Sequence, residues 1–221
     1  VDKAEKMNGM FSGCESLDDI SFLRFWDVSN VVEMKFMFHK CKFLNDILPL
    51  SGWNVSNVVD MNGLFLDCVS IRNISPLAKW NVSNVRFMWA IFWNCRSLVS
   101  IFPLANWNVE NVETMKGMFF GCIYLNNISA LSNWNVVNVN ILAGMFGHCK
   151  NLKNIDSLSY WIISSVATID HMFYGCEVLE DASALDNWDI SNVENMDQIF
   201  DGCILLEKYP VWYQNSSSVE N

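Results

Sequence analysis

The chain has 221 residues, of which 52% are hydrophobic and 14% aromatic, and its formal net charge is -10. That charge argues against nucleic acid as a partner, because phosphate contacts need clustered Lys and Arg, and against simple electrostatic docking on an anionic membrane. No apolar run approaches the roughly 20 residues of a membrane span, so direct membrane insertion of this segment is not expected.

In chain order, the first 25 residues open inside a helical pattern, Ala4-x-x-Met7-x-x-Met10-Phe11. It reads as a partial unit cut open at its start, so more repeats or a cap are expected upstream in the parent protein. A chain that starts at Val1 is expected to have lost its first residues by processing or design.

From there the sequence repeats every 27 residues. Tryptophan recurs at Trp26, Trp53, Trp80, Trp107, Trp134, Trp161 and Trp188. Phenylalanine keeps the same step from Phe11 to Phe200, and cysteine from Cys14 to Cys203. A fixed period of this size means a stack of equivalent supersecondary units, each touching only its neighbours. The expected fold is an α/β repeat solenoid of leucine-rich-repeat type, each unit carrying a short parallel strand and a short helix. Residues 1–213 are expected to form one solenoid of about seven units plus the partial first one, and 214–221 a polar tail.

The unit that begins at Trp53 shows the reasoning. Val58, Met61, Leu64, Phe65 and Cys68 fall on one face of a helix about three turns long. Asn57 stands where an N-cap belongs and Asp60 follows three residues on. Glycines such as Gly121, Gly175 and Gly202 suit helix stops. After the cysteine, Pro49, Pro76 and Pro103 favour turn or extended backbone. A short strand is expected around Leu77, Trp80 and Val82. Asn54, Asn81, Asn108 and Asn135 share the place after Trp and suit an amide ladder running along the stack.

In such an array the framework positions build the rod, and departures carry specificity. On a helical wheel, Leu66, Trp93 and Phe120 occupy one outward slot in three adjacent units, flanked by Phe36, Phe87 and Trp89. An exposed apolar stripe of this kind marks an interaction surface, for a foreign protein or for copies of the chain. The same stripe would equally suit packing against another part of the parent, and it is buried if the helix phase is wrong. The sixth unit departs most: Ile162, Ile163 and Ser165 replace Asn, Val and Asn, with Tyr160 before Trp161. That is repeat drift or a local contact site. Tyr209, Pro210 and Trp212 replace the usual Ile, Pro and Leu and are placed to seal the last coil.

Eight cysteines in one slot suit an internal ladder of reduced thiols better than disulfides, and no close-set thiolate pair suggests zinc. His39, His148 and His171 lack metal or triad neighbours at a telling spacing, with His148 and His171 close only across adjacent units. No nucleophile, phosphate-loop or dinucleotide motif appears. No enzyme activity, cofactor or metal is expected.

Trp26-Asp27-Val28-Ser29-Asn30-Val31, Met34, Met37-Phe38, Cys41 and Leu44 follow the pattern W-D-V-S-N-V-x-x-M-x-x-M-F-x-x-C-x-x-L. On these residues the chain resembles the BspA-like branch of the leucine-rich-repeat proteins, over roughly residues 4–206. The resemblance implies a non-catalytic protein-interaction module at the cell surface or outside the cell, serving adhesion or partner binding. The alternative is a structural or assembly subunit, for example of a cell-surface layer or a virion.

Overall fold

The computed structural model describes residues 2–213. The 27-residue units stack as successive coils, and one buried apolar cluster runs through them from Met7 to Leu206. No polar or charged residue is buried among the described residues. The phenylalanine slot forms a continuous ring stack whose neighbouring centroids lie 5.5 to 5.9 Å apart. Packed α-helices need 8–10 Å, so that step alone excludes helices side by side on this face. It is close to the spacing of parallel strands.

The expected three-turn helix over 58–68 is accordingly not formed. Its backbone alternates between two kinds of bond. The amides of Met61, Gly63, Phe65 and Asp67 donate across to the carbonyls of Phe87, Trp89, Ile91 and Trp93 in the next coil, at 2.7 to 3.0 Å. The intervening amides of Leu64, Leu66 and Cys68 turn back to Met61, Gly63 and Phe65 within their own coil, each at 3.0 or 3.1 Å. Each coil is therefore a run of tight turns hydrogen-bonded to its neighbours, which satisfies every amide from Met61 to Cys68 except that of Asn62, taken by the Asp60 side chain at 3.0 Å.

Two positions per coil make this run possible. Gly63 and Asp67 both have φ near +60°, as do their counterparts Phe36 and Lys40, Gly117 and Gly121, Gly144 and His148. A left-handed residue in third place of an i to i+3 turn is the mark of a type II turn. An α-helix has no place for it. The glycines read as helix stops are the centres of these turns. The apolar spacing of 3, 3, 1 and 3 fits both geometries, because three-residue turns also return side chains to one side.

The strand also differs from expectation. Parallel pairing occurs as single bridges through Lys6, Glu33, Asp60, Phe87, Thr114, Ile141, Thr168 and Asn195, and not at Leu77 to Val82. There, a 3₁₀ helix, Ser75–Leu77, precedes Trp80. Equivalent 3₁₀ helices recur in the other coils from Ser21–Phe25 to Ser183–Leu185. Pro49, Pro76 and Pro103 sit at their first turns, where a missing amide costs nothing.

The two asparagine slots exchange roles. Asn57, read as a helix cap, and its equivalents Asn84, Asn111, Asn138 and Asn192 donate from Nδ2 to a carbonyl of the preceding coil at 2.7 or 2.8 Å. Asn54, Asn81, Asn108 and Asn135, read as rungs, accept from the amide two residues on and close local Asx turns. The inter-coil rung lapses in the sixth unit, where Ser165 replaces Asn.

Two further rungs lie in the core. Each Trp Nε1 from Trp53 to Trp188 donates to a leucine carbonyl of the coil before, as Trp107 does to Leu77 at 3.1 Å. Each thiol from Cys41 to Cys203 donates to a phenylalanine carbonyl of the coil before. All eight cysteines are free, and all but Cys14 are buried. At the end of the array Trp212 Nε1 reaches Leu185 at 2.8 Å, while Tyr209, Trp212 and Tyr213 pack on Phe200. The polar tail at 214–221 lies outside the described residues.

Candidate interaction surface

Leu66, Trp93 and Phe120, which a helical wheel points outward, and the flanking Phe36, Phe87 and Trp89 are all half-buried. The reason lies in the turns. Without a helix, these side chains do not project from a cylinder but lie down on the neighbouring coil. The Phe36 ring lies across Gly63, and Trp93 lies across Gly117; a Cβ at either glycine would collide with the ring. The Phe120 ring lies over Gly144 and Gly147, where a Cβ would meet it at 3.5 and 2.6 Å.

Because Gly63 has no side chain, Phe36 reaches past its coil to Trp89, with centroids 5.7 Å apart and rings at 77°. Trp93 and Phe120 stack at 4.0 Å and 17°. Leu66 holds the same slot one coil before Trp93. Phe87 stands at the bridge position, with the Arg86 guanidinium 5.4 Å from its ring centroid. Residues that sequence reasoning did not assign to the stripe lengthen the belt. Phe120 meets His148 at 5.2 Å, and His148 meets Tyr174 at 5.0 Å. Tyr174 also meets His171 at 5.5 Å. His148 and His171 are thus joined through a ring, and no group of three potential metal ligands occurs among the described residues.

Charge is arranged along the margins. Arg86 donates from Nε to Glu113 at 2.7 Å on one side of the belt. On the other side Asn94 binds Asp67, and Lys150 meets Glu177 at 2.6 Å. Burial lowers the His148 pKa from its ordinary value, and Lys150 adds to the effect. His39 is lowered in the same way by burial and then by Lys40. At neutral pH both rings are therefore uncharged aromatic surface. What the belt offers is flat ring area held in place by glycines, with cations and carboxylates at its edges.

The sixth-unit departure sits elsewhere. Tyr160 and Ile162 are 80% and 63% exposed, while Trp161 and Ile163 between and beyond them keep their places in the core. The framework there is intact, and the departure is confined to the surface.

The profile of a family described as "Mycoplasma protein of unknown function, DUF285" matches residues 5–102 and again 99–212. Among solved structures, a leucine-rich repeat protein from Eubacterium ventriosum is similar with a TM-score of 0.52 at 18% identity, over 83% of this chain and 43% of its own. A leucine rich cell surface protein from Faecalibacterium prausnitzii gives 0.32 at 18% identity, over 94% of this chain and 69% of its own. An internalin from Listeria monocytogenes gives 0.20 at 12% identity, over 86% and 70%. This chain spans less than half the length of the first of these. That first likeness shows the fold, a leucine-rich-repeat solenoid. No curated protein sequence matches the chain.

Proposed function

The chain belongs to the DUF285 family, and from that premise we propose that its solenoid is a non-catalytic protein-interaction module displayed at a cell surface. The observation that carries this reading is the aromatic belt. Phe36, Leu66, Phe87, Trp89, Trp93 and Phe120 are neither core nor free surface. Phe36, Trp93 and Phe120 lie on glycines that hold their rings in place, so a partner loses little side-chain freedom to meet them. Half-exposed aromatic groups of this kind are the usual anchors of protein interfaces. The leucine-rich-repeat fold supports the reading, since stacked coils supply an extended, rigid platform. Surface display is supported by the family resemblance. An assembly subunit remains the second use of the same belt, with copies of the chain as partners.

The test is solution mass by light scattering, wild type beside Trp93→Ser/Phe120→Ser, with near-ultraviolet circular dichroism as the control for folding. Removing two half-exposed rings costs about 1 kcal/mol each, so the double variant is expected to fold. A wild-type monomer that binds an apolar peptide, and a folded variant that has lost it, supports the binding module. A wild-type oligomer that the variant turns into a folded monomer makes the belt an assembly surface. Loss of folding would show the belt to be structural and overturn both uses.

A further inference from the structure

Beside Phe120 the belt opens into a groove of about 430 Å³, lined by Arg96, Phe120, Gly121, Ile123, His148 and Lys150. Arg96, Ile123 and Lys150 hold one slot in three consecutive coils. Two steps of a parallel ladder put the two cations on the order of 10 Å apart, with an apolar side chain between them and the Phe120 ring alongside. Gly121, at φ +71°, forms the floor; a Cβ there would run into the Asn94 side chain. Glycine at this turn leaves room for the Asn94 side chain to lie against it.

The charge around it runs against the rest of the chain. In the stretches 40–45, 67–72, 94–99, 121–126 and 148–153, the basic residues are Lys40, Lys42, Arg72, Arg96, Lys150 and Lys153, and the one acid is Asp67. The same stretches in the flanking coils are acidic, with Glu15 and Asp18 before and Glu177, Glu180 and Glu207 after. Lys150 and Lys153 answer Glu177 and Glu180. Arg96 is exposed and has no ion pair among the described residues. A free guanidinium presents a fork that fits a carboxylate.

We propose that this groove takes an acidic protein segment in extended form, its carboxylates on Arg96 and Lys150 and an apolar side chain over Ile123 and Phe120. The proposal rests on the belt being an interaction surface and names the chemistry of its partner. A polypeptide suits the groove better than a nucleic acid. The floor is apolar, only one cation is unpaired at the groove, and the chain as a whole is strongly negative.

Three labelled peptides test it by fluorescence anisotropy: Glu-Phe-Glu-Leu-Glu-Phe-Glu and its analogues with Lys or Ser in place of Glu. The net charge of -10 favours the lysine peptide, so preference for the glutamate peptide reports the local site. The expected result is saturable binding of the glutamate peptide, about tenfold tighter than the lysine one. Arg96→Ser/Lys150→Ser should weaken it about tenfold, and the control Arg24→Ser/Lys79→Ser, with equal loss of charge on another face, should not. Equal or tighter binding of the lysine peptide overturns the proposal. So does an unaffected Arg96→Ser/Lys150→Ser variant, or no saturation with any peptide up to about 1 mM. If the serine peptide binds as well as the glutamate one and Trp93→Ser/Phe120→Ser abolishes both, the belt stands as an interaction surface and the acidic partner falls. An oligothymidylate that binds better than the glutamate peptide and depends on Arg96 overturns the proposal in favour of nucleic acid.

Discussion

A cysteine in this array is a hydrogen-bond donor as well as a small apolar group. Cys68 gives its proton to the Phe38 carbonyl at 2.9 Å, and burial drives the thiols upward, Cys41 to about 12 and Cys203 to about 11. The thiolate is the reactive form. Ellman's reagent should therefore find one fast thiol in the native protein, Cys14, and eight after unfolding; more than one fast thiol would contradict the buried ladder. The same shift sets a pH dependence. A thiol ionises near 8.5–9 once unfolded but stays protonated when folded, so its contribution is complete below that range. It is lost as pH climbs toward 11 and 12. Thermal unfolding midpoints should hold steady up to about pH 9 and fall above it. Tryptophan follows a similar logic. A phenylalanine in place of Trp107 would fill most of the space but remove one of the two bonds the Leu77 carbonyl accepts, the other coming from the Trp80 amide, at a cost of about 0.5–1.5 kcal/mol. That explains why the slot keeps its indole from Trp53 to Trp188.

At the scale of the element, the turn replaces the helix. The apolar spacing of 58–68 is legible in the sequence, and so are the core residues. The backbone conformation is not, because hydrophobic periodicity reports which side chains point inward and not how the chain returns them. The discriminating signal lay in the glycines. Gly9, Gly63, Gly117 and Gly144 share one slot, and Gly13, Gly121, Gly175 and Gly202 another. Glycine recurring inside a supposed helix marks left-handed backbone. Alanine at these places tests the geometry. Gly144→Ala meets only Phe120, at 3.5 Å, and should cost about 1–2 kcal/mol for the left-handed conformation. Gly117→Ala adds a collision with Trp93 and should cost more. In urea, the difference between the two should shrink when Trp93→Ser is present. Equal costs in both backgrounds would mean that Trp93 does not lie on Gly117.

For the whole molecule, the repeat revealed the slots and therefore the belt. Leu66, Trp93 and Phe120 stand out because their slot is otherwise occupied by Ser12, His39, Gly147, Tyr174 and Asp201. How far Trp93 and Phe120 are buried was not legible, because that depends on Gly117 and Gly144, in the next coil. The groove beside Phe120 was equally hidden, since its parts come from three coils. Cross-coil ion pairs such as Lys153 with Glu180 and Lys208 with Asp181 are exposed and contribute little energy. Register is fixed in the interior, where tryptophan and cysteine both reach a carbonyl 30 residues back. A deletion of residues 82–108 joins equivalent points. Trp134 then finds Leu77 where it found Leu104, and the shortened chain should unfold in one transition. Deleting 82–107 leaves one residue too many and slides the donors that span the junction, Cys122 and Trp134, off their acceptors; that variant should melt at a lower temperature than the 82–108 deletion. Two hydrogen bonds that each reach back to the preceding coil thus set the unit in which the chain can change length. It can grow or shrink by whole coils, through duplication or loss of a complete unit, while single-residue insertions within the turns are filtered out at folding.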